Sequence, residues 1–211
     1  MTELITVNDQ SSIRIAADSV LYFDPLSITG TPHDADIILI THDHYDHFSP
    51  DDISKVAKEE TVFVMPEGMK GGFKKAGFPV EKALFMKPGE SASLRGIEIE
   101  TVPAYNLMKP FHPKKAGWLG YVAAVAGERV YVCGDTDDTP EARAVKCDIV
   151  CVPIGGTYTM DATSAAELVK ALAPKAAIPT HYGSIVGKPA DADAFEKAVG
   201  GKVKVVRKLR F

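Results

Sequence analysis

Short apolar segments recur along the whole chain, and most of them are bounded by Gly, Pro, Asn, Asp or Ser. Runs of about four to eight residues that are rich in β-branched and aromatic side chains are typical of buried strands. The pattern predicts ten strands, at residues 12–16, 20–23, 37–40, 62–65, 97–102, 119–126, 129–133, 149–152, 176–179 and 203–206. A turn at Gly127 and Glu128, between two of these segments, predicts a tight hairpin.

Helix-start and helix-stop signals lie between the predicted strands. Ser49 can cap a helix that has proline at its first position and two aspartates in its first turn. Ser164 and Glu167 form a capping box ahead of an apolar segment with helical spacing. Two further helices are predicted, over residues 191–199, where two glycines follow, and over residues 66–75, where two glycines interrupt the pattern.

The order of these elements predicts an α/β fold. Strands dominate the first two thirds of the chain and strand–helix alternation closes it, which favours two sheets packed face to face with helices on the outside. The chain shows no internal repeat, linker or low-complexity segment. Its 211 residues therefore suit one domain that spans residues 1–211.

Composition and charge exclude several classes of protein. Hydrophobic residues make up 45% of the chain, which excludes a wholly disordered protein, and a net charge of -4 gives no positive field for nucleic acid or membrane. No segment is long and apolar enough for a membrane span, and residues 1–12 lack the features of a signal peptide. Three cysteines without a disulfide-framework spacing favour a reducing cytoplasm.

The densest chemical signal directly follows the apolar segment 36–40. It contains a His-x-His-x-Asp-His motif, in the sequence Thr41-His42-Asp43-His44-Tyr45-Asp46-His47. Imidazole and carboxylate groups together suit divalent zinc, manganese or iron. The alternative, a polar loop that contains histidines by chance, is rare for this composition. Because these side chains would repel one another or stay unpaired without a cation, the motif predicts a metal site.

Further candidate ligands also follow predicted strands. Asp135 comes after residues 129–133, and His181 comes after residues 176–179. Each has an ordinary alternative, as an aspartate that caps a turn or as a histidine that packs structurally. Their position at strand ends, like that of the first motif, favours a ligand role. Asp24, at another strand end, either pins its own loop or supports a ligand histidine.

The first motif, the Gly-Asp-Thr at residues 134–136 and the late His181 together resemble the metallo-β-lactamase superfamily. Residues 153–161 and 178–183 are similar to the small single-domain metal-dependent hydrolases related to ascorbate-6-phosphate lactonase. The resemblance covers essentially the whole chain. It implies a four-layer αββα sandwich with a metal site between the inner strand ends.

The resemblance also implies a binuclear metal site and hydrolytic chemistry. His42 and His44 would bind a first cation, together with a third histidine further along the chain. Asp46, His47 and His181 would bind a second cation, and Asp135 would bridge both. A hydroxide between the two cations would attack a carbonyl or phosphorus centre, with Asp46 and Asp135 as catalytic carboxylates. Zinc is the first expectation for both cations, with manganese or iron as alternatives.

One position departs from the superfamily pattern. The third histidine usually follows a Pro-Ala dipeptide, whereas Pro-Ala at residues 103–104 is followed here by Tyr105 and Asn106. Asn106 offers only a neutral amide oxygen, which is a weak ligand for zinc. His112, in a loop stiffened by two prolines, is the preferred third ligand. Without it, the first cation site would keep an open position.

Lys109 and Lys114, close to His112, and Tyr158, after two glycines, are candidates for the substrate pocket. A lysine there would bind a phosphate or carboxylate group, and the alternative is a solvated basic loop. The sequence therefore predicts a metal-dependent hydrolase that acts on a small anionic ester, lactone or phosphoester. A small-molecule substrate is the partner that we expect, and the pattern does not set the oligomeric state.

Three other functions stay open as alternatives. They are a metal-dependent phosphodiesterase or nuclease, an oxidoreductase at a single iron, and a metal-binding protein without turnover. The negative net charge argues against the nuclease. The chain has no flavin-binding module or redox cysteine motif that would favour the oxidoreductase, and the missing third histidine is the one feature that favours a non-catalytic protein.

Overall fold

The strands of the protein form two sheets, and the first contains six of them. The computed structural model describes residues 1–211. The strands lie side by side in chain order: β1 (Ile5–Val7), β2 (Ile13–Ala16), β3 (Val20–Phe23), β4 (Ala35–Leu39), β5 (Ala57–Pro66) and β6 (Ala83–Met86). Pairing is antiparallel from β1 to β3 and parallel from β3 to β6.

The second sheet contains seven strands, and its pairing changes midway. The strands are β7 (Ser91–Leu94), β8 (Ile97–Pro103), β9 (Leu119–Val125), β10 (Glu128–Val132), β11 (Ile149–Pro153), β12 (Ala176–Thr180) and β13 (Lys204–Val205). Pairing is antiparallel from β7 to β10 and parallel from β10 to β13. Because parallel strands end at the same edge of a sheet, the loops after β10 and β12 come close together.

Helices cover the outer faces of the two sheets. They are α1 (Pro50–Val56), α2 (Lys70–Lys75), α3 (Pro140–Ala144), α4 (Ala162–Leu172) and α5 (Asp191–Val199). The first two pack on the first sheet through a cluster that includes Ile38, Ile53 and Phe73. The larger core fills the space between the sheets, where the rings of Phe23 and Tyr121 lie 6.3 Å apart, and it extends to α4 and α5. The predicted αββα sandwich is confirmed.

All ten predicted strands are present, with ends shifted by a few residues. The three strands that the pattern did not indicate, β1, β6 and β7, are edge strands. Edge strands are often short and partly solvated, so their apolar pattern is weak. In β7, for example, exposed and half-buried residues alternate. The hairpin between β9 and β10 turns at Ala126 and Gly127, one residue earlier than predicted, with φ of +48° and +77° as in a type I′ turn.

The helix starts follow the predicted signals with one correction. Ser49 caps α1, and its side chain accepts a hydrogen bond from the backbone N–H of Asp52. In α4, the cap is Asp161, whose carboxylate accepts a hydrogen bond of 2.8 Å from the backbone N–H of Ser164. The prediction that Ser164 caps this helix was wrong because Asp161 lies three residues earlier and already binds that amide. The longest helix, α4, has 11 residues, and none of the helices could cross a membrane.

Candidate metal centre

The predicted ligands all lie at one end of the sandwich, between the two sheets. The residues from His42 to His47 occupy the loop after β4 of the first sheet. Asp135 and His181 follow β10 and β12 of the second sheet, and His112 lies in the long loop between β8 and β9. The centre is therefore built from four separate parts of the chain and involves both sheets.

Three histidines form the first group of converging side chains. The Nε2 atom of His42 lies 3.1 Å from the Nδ1 atom of His44, and the ligand atoms of these two residues and His112 lie within 4.8 Å of one another. His42 and His112 are buried, and His44 is half-buried. Burial, reinforced by His47, holds the pKa of His42 well below its usual value. Its ring is therefore neutral, which is the form that binds a metal ion.

Asp46, His47 and His181 form the second group, and all three are buried. The Oδ2 atom of Asp46 lies 3.3 Å from Nε2 of His181 and 3.6 Å from Nε2 of His47. Burial alone would lower the pKa of His47, but Asp135 and Asp24 outweigh burial and raise this pKa to about 9. The fold thus concentrates negative charge around His47, which favours a positive charge at this point.

Asp135 lies between the two groups. Its Oδ1 atom is 3.4 Å from Nε2 of His47, and its Oδ2 atom is 3.3 Å from the Nε2 atoms of both His112 and His181. Burial alone would raise the pKa of Asp135, but His181 and His47 hold it well below its usual range. An ionised carboxylate that faces both groups is suited to contact two cations at once.

Several buried ligand atoms at this centre have no hydrogen-bond partner in the protein. They include the Nε2 atoms of His47, His112 and His181 and the Oδ1 atom of Asp135. A buried polar atom without a partner costs roughly 1–3 kcal/mol of folding free energy. Divalent cations would satisfy these atoms, and imidazole and carboxylate donors suit zinc, manganese or iron. The residues present therefore fit a metal centre.

Asp24 contacts both the candidate ligand His47 and the neighbouring Thr41. Its carboxylate lies 2.7 Å from Nδ1 of His47, and it accepts hydrogen bonds from the backbone N–H and the hydroxyl of Thr41 at 2.8 and 2.6 Å. Asp24 therefore has both roles that its sequence position suggested, since it pins a loop and orients a histidine. Its φ is +46°, and those of His112 and His181 are +57° and +54°. Such left-handed backbone is costly for non-glycine residues and clusters at functional sites.

His112 and Asn106, the two candidates for the third ligand position, make different contacts in the structure. His112 faces the other ligands, whereas the Nδ2 atom of Asn106 donates to the backbone carbonyls of Phe111 and Tyr158 at 3.0 and 2.7 Å. The same amide nitrogen lies 3.3 Å from Nδ1 of His112. Asn106 thus positions the loop that carries His112 and ties it to the loop that carries Tyr158.

A cavity of about 610 Å³ leads from the metal centre to the surface. Beside five of the predicted ligands it is lined by Tyr45, Phe111, Thr157, Tyr158, Ile185, Val186 and Gly187. Of the predicted substrate residues, Tyr158 lines the cavity and the two lysines do not. Lys109 pairs with Asp137, and Lys114 pairs with Glu141 at 2.6 Å. The expected lysine in the pocket is not found there, because each ammonium group has a carboxylate partner outside it.

Sequence reasoning missed the apolar and aromatic side chains around the centre. The ring of Trp118 lies 4.9 Å from those of His42 and His44. Phe111 and Ile185 line the cavity although they are 45% and 42% exposed. The signal that could have found these two was their sequence position, because each is a large apolar residue within four positions of a ligand histidine in a polar loop.

Comparisons with known proteins show related sequences and a shared fold. A family model described as a beta-lactamase superfamily domain matches residues 5–181. A UPF0173 metal-dependent hydrolase from Thermoplasma acidophilum is 33% identical over 174 residues, which cover 80% of this chain and 74% of that protein. One from Thermococcus onnurineus is 28% identical over 209 residues, with coverage of 93% and 92%. The crystal structure of a protein from Parabacteroides distasonis classed as a metal-dependent hydrolase superposes with a TM-score of 0.80, at 31% identity and with coverage of 98% and 93%.

Proposed function

This chain belongs to the metallo-β-lactamase superfamily and is a metal-dependent hydrolase, and from that premise we propose that it cleaves a small ester, lactone or phosphoester at a pair of divalent cations. The observation that carries the proposal is the position of Asp135, whose carboxylate faces both groups of candidate ligands. The proposal does not require an anionic substrate, because Lys109 and Lys114, which were expected to bind one, both pair with carboxylates outside the cavity.

The ligand set fits two cations, with zinc as the first expectation and manganese or iron as alternatives. His42, His44 and His112 would hold one cation. Asp46, His47 and His181 would hold the other, and Asp135 would contact both. When bound, divalent cations make water a nucleophile near neutral pH and stabilise the negative charge that develops on the substrate oxygen.

The side chains of the cavity set the remaining chemistry. No serine or cysteine lines it, and the nucleophile in this proposal is water. The carboxylates of Asp46 and Asp135 both line the cavity, where they can accept hydrogen bonds from a water molecule beside the substrate. Thr157 and Tyr158, which carry hydroxyl groups, line the same cavity.

The test combines metal content with turnover. Protein purified without chelator should contain about two cations per chain, and it should hydrolyse at least one member of a panel of aryl esters, γ-lactones and aryl phosphates. Asp135→Asn keeps the side-chain shape and removes the charge, so kcat/KM should fall at least about a hundredfold with loss of bound metal.

The matched control is Asp193→Asn, which removes an exposed carboxylate on α5 and should leave metal content and turnover unchanged. A metal-free wild-type protein, or full activity in Asp135→Asn, would contradict the proposal. So would metal-loaded protein that hydrolyses no member of the panel.

A further inference from the structure

We infer that the substrate is a neutral ester or lactone that carries an apolar group, about the size of a phenyl ring, away from the bond that is cleaved. This inference rests on the proposed function, because it assigns the substrate class of the same centre. It follows from a contrast among the residues that line the cavity: most of the polar candidate ligands are buried, whereas the apolar side chains of Phe111 and Ile185 are partly exposed.

The walls of the cavity offer no positively charged side chain for an anionic group on the substrate. No lysine or arginine lines the cavity; of the three lysines in the neighbouring loop, Lys109 and Lys114 pair with carboxylates, and Lys115 is not among the lining residues either. The ammonium of Lys114 also lies 4.7 Å from the ring centre of Tyr105, outside the cavity. A carboxylate or phosphate remote from the cleaved bond would therefore lose water without gaining an opposite charge.

An apolar group, in contrast, meets matching side chains. The rings of Phe111 and Tyr158 lie 4.8 Å apart and are nearly perpendicular, and Ile185 and Val186 line the same cavity. Phe111 and Ile185 are partly exposed in the free protein, so a ligand would remove their apolar surface from water. The volume of about 610 Å³ leaves room for a phenyl ring beside the reacting group.

The same loop supplies both a candidate metal ligand and the apolar wall. Phe111 directly precedes His112, and the amide of Asn106 holds the backbone carbonyls of both Phe111 and Tyr158. The loop that carries His112 in place of the usual third histidine therefore also holds Phe111 next to the candidate ligands. A wall held in this way can select among substrates, because its position does not have to be formed on binding.

The test uses two ligands that share a metal-binding group and differ only in the remote group. On zinc-loaded protein, calorimetry would give the Kd of 3-phenylpropanohydroxamic acid and of succinic monohydroxamic acid. We expect the phenyl compound to bind at least about tenfold more tightly. Phe111→Ala should reduce that preference about threefold or more. Leu4→Ala, which truncates an exposed apolar residue far from the centre, is the matched control and should leave the preference unchanged.

Equal or tighter binding of the carboxylate compound would overturn the inference, and so would an unchanged preference in Phe111→Ala. Turnover of methyl 3-phenylpropanoate and monomethyl succinate separates it from the proposed function. Faster hydrolysis of the succinate ester would leave the hydrolase standing and refute the apolar wall. If the phenyl preference in binding holds while no ester, lactone or phosphoester is cleaved, the wall stands and the proposed function fails.

Discussion

Asp24 and Asn106 each contact a candidate ligand histidine at its second ring nitrogen. Asp24 lies 2.7 Å from Nδ1 of His47, and the amide nitrogen of Asn106 lies 3.3 Å from Nδ1 of His112. A histidine that binds a metal through Nε2 must present that atom in one direction, and a contact at Nδ1 fixes the direction. The two contacts differ in charge, so they should differ in what their removal does.

Replacing Asp24 with asparagine should weaken metal binding while the protein stays folded. The change keeps the shape of the side chain but removes a buried charge next to His47, so we expect an affinity loss of about 10- to 100-fold, measured by competition with a chelating dye. Asp34→Asn removes a carboxylate that pairs with Arg14 at the opposite end of β4, and it should leave affinity unchanged. Equal affinities in all three proteins would show that Asp24 only pins its loop.

Asn106→Ala should loosen the loop that carries His112 and weaken one cation site by about tenfold. The substitution removes the donor that ties this loop to the backbone of Tyr158. Trp118 is the single tryptophan of the chain, and its ring lies 5.2 Å from that of His112. Because Co²⁺ has unpaired electrons, its binding should quench Trp118 fluorescence, and the quenching curve should move to higher Co²⁺ in the variant. An unchanged curve would remove Asn106 from the set of positioning residues.

At the scale of elements, the strands that carry the candidate ligands are those that the sequence indicated most clearly. β4 and β12 are buried at nearly every position, so their apolar runs stand out and the polar residues that follow them are conspicuous. Nothing local indicates the role of Asn106, whose partner Tyr158 lies 52 residues away. The loop between β8 and β9 has no periodicity, and two of its three lysines, Lys109 and Lys114, pair with carboxylates that only the folded chain brings near them.

Helix α1 is anchored by a carboxylate whose contribution depends on pH. Asp52, in its first turn, accepts hydrogen bonds from the backbone N–H groups of Ser27 and Ile28 at 2.9 and 3.0 Å and pairs with Lys55 at 2.7 Å. Burial alone would raise the pKa of Asp52, but Lys55 and these N–H groups lower it below its usual 3.8. A lowered folded-state pKa stabilises the protein above about pH 4, and that stabilisation is lost as the pH falls through the folded value.

We therefore expect Asp52→Asn to lower the free energy of unfolding by about 1–3 kcal/mol at pH 7, and by less at pH 3. Urea denaturation of both proteins at the two pH values measures this difference. Asp51→Asn is the control, because that carboxylate lies in the same turn and is exposed. A deficit of equal size at both pH values, or the same deficit in Asp51→Asn, would contradict the anchoring role of Asp52.

At the scale of the whole molecule, the candidate metal centre lies between the two sheets. Its candidate ligands come from the loop after β4 on one side and from loops of the second sheet on the other. Next to it, two hydrogen bonds connect the sheets. The hydroxyl of Tyr121 donates to the backbone carbonyl of Ile40 at 2.7 Å, and the backbone N–H of Leu119 donates to the backbone carbonyl of Thr41 at 3.1 Å. Cations bound here would add cross-links where hydrogen bonds already connect the sheets.

Removal of the metal should therefore lower the melting temperature without unfolding the protein. The larger core, which fills the space between the sheets and extends to α4 and α5, contains 42 buried residues, so the chelated protein should keep its far-UV circular dichroism spectrum. Cations at a hundred times their Kd stabilise the folded state by about 2.7 kcal/mol, or about 5–10 °C for a chain of this size. Calorimetry of chelated and zinc-reconstituted protein measures the shift, which should shrink in Asp135→Asn and persist in Asp193→Asn. Equal melting temperatures with and without zinc would show that no cation binds between the sheets, whereas unfolding in chelator would show that the apolar core alone does not maintain the fold.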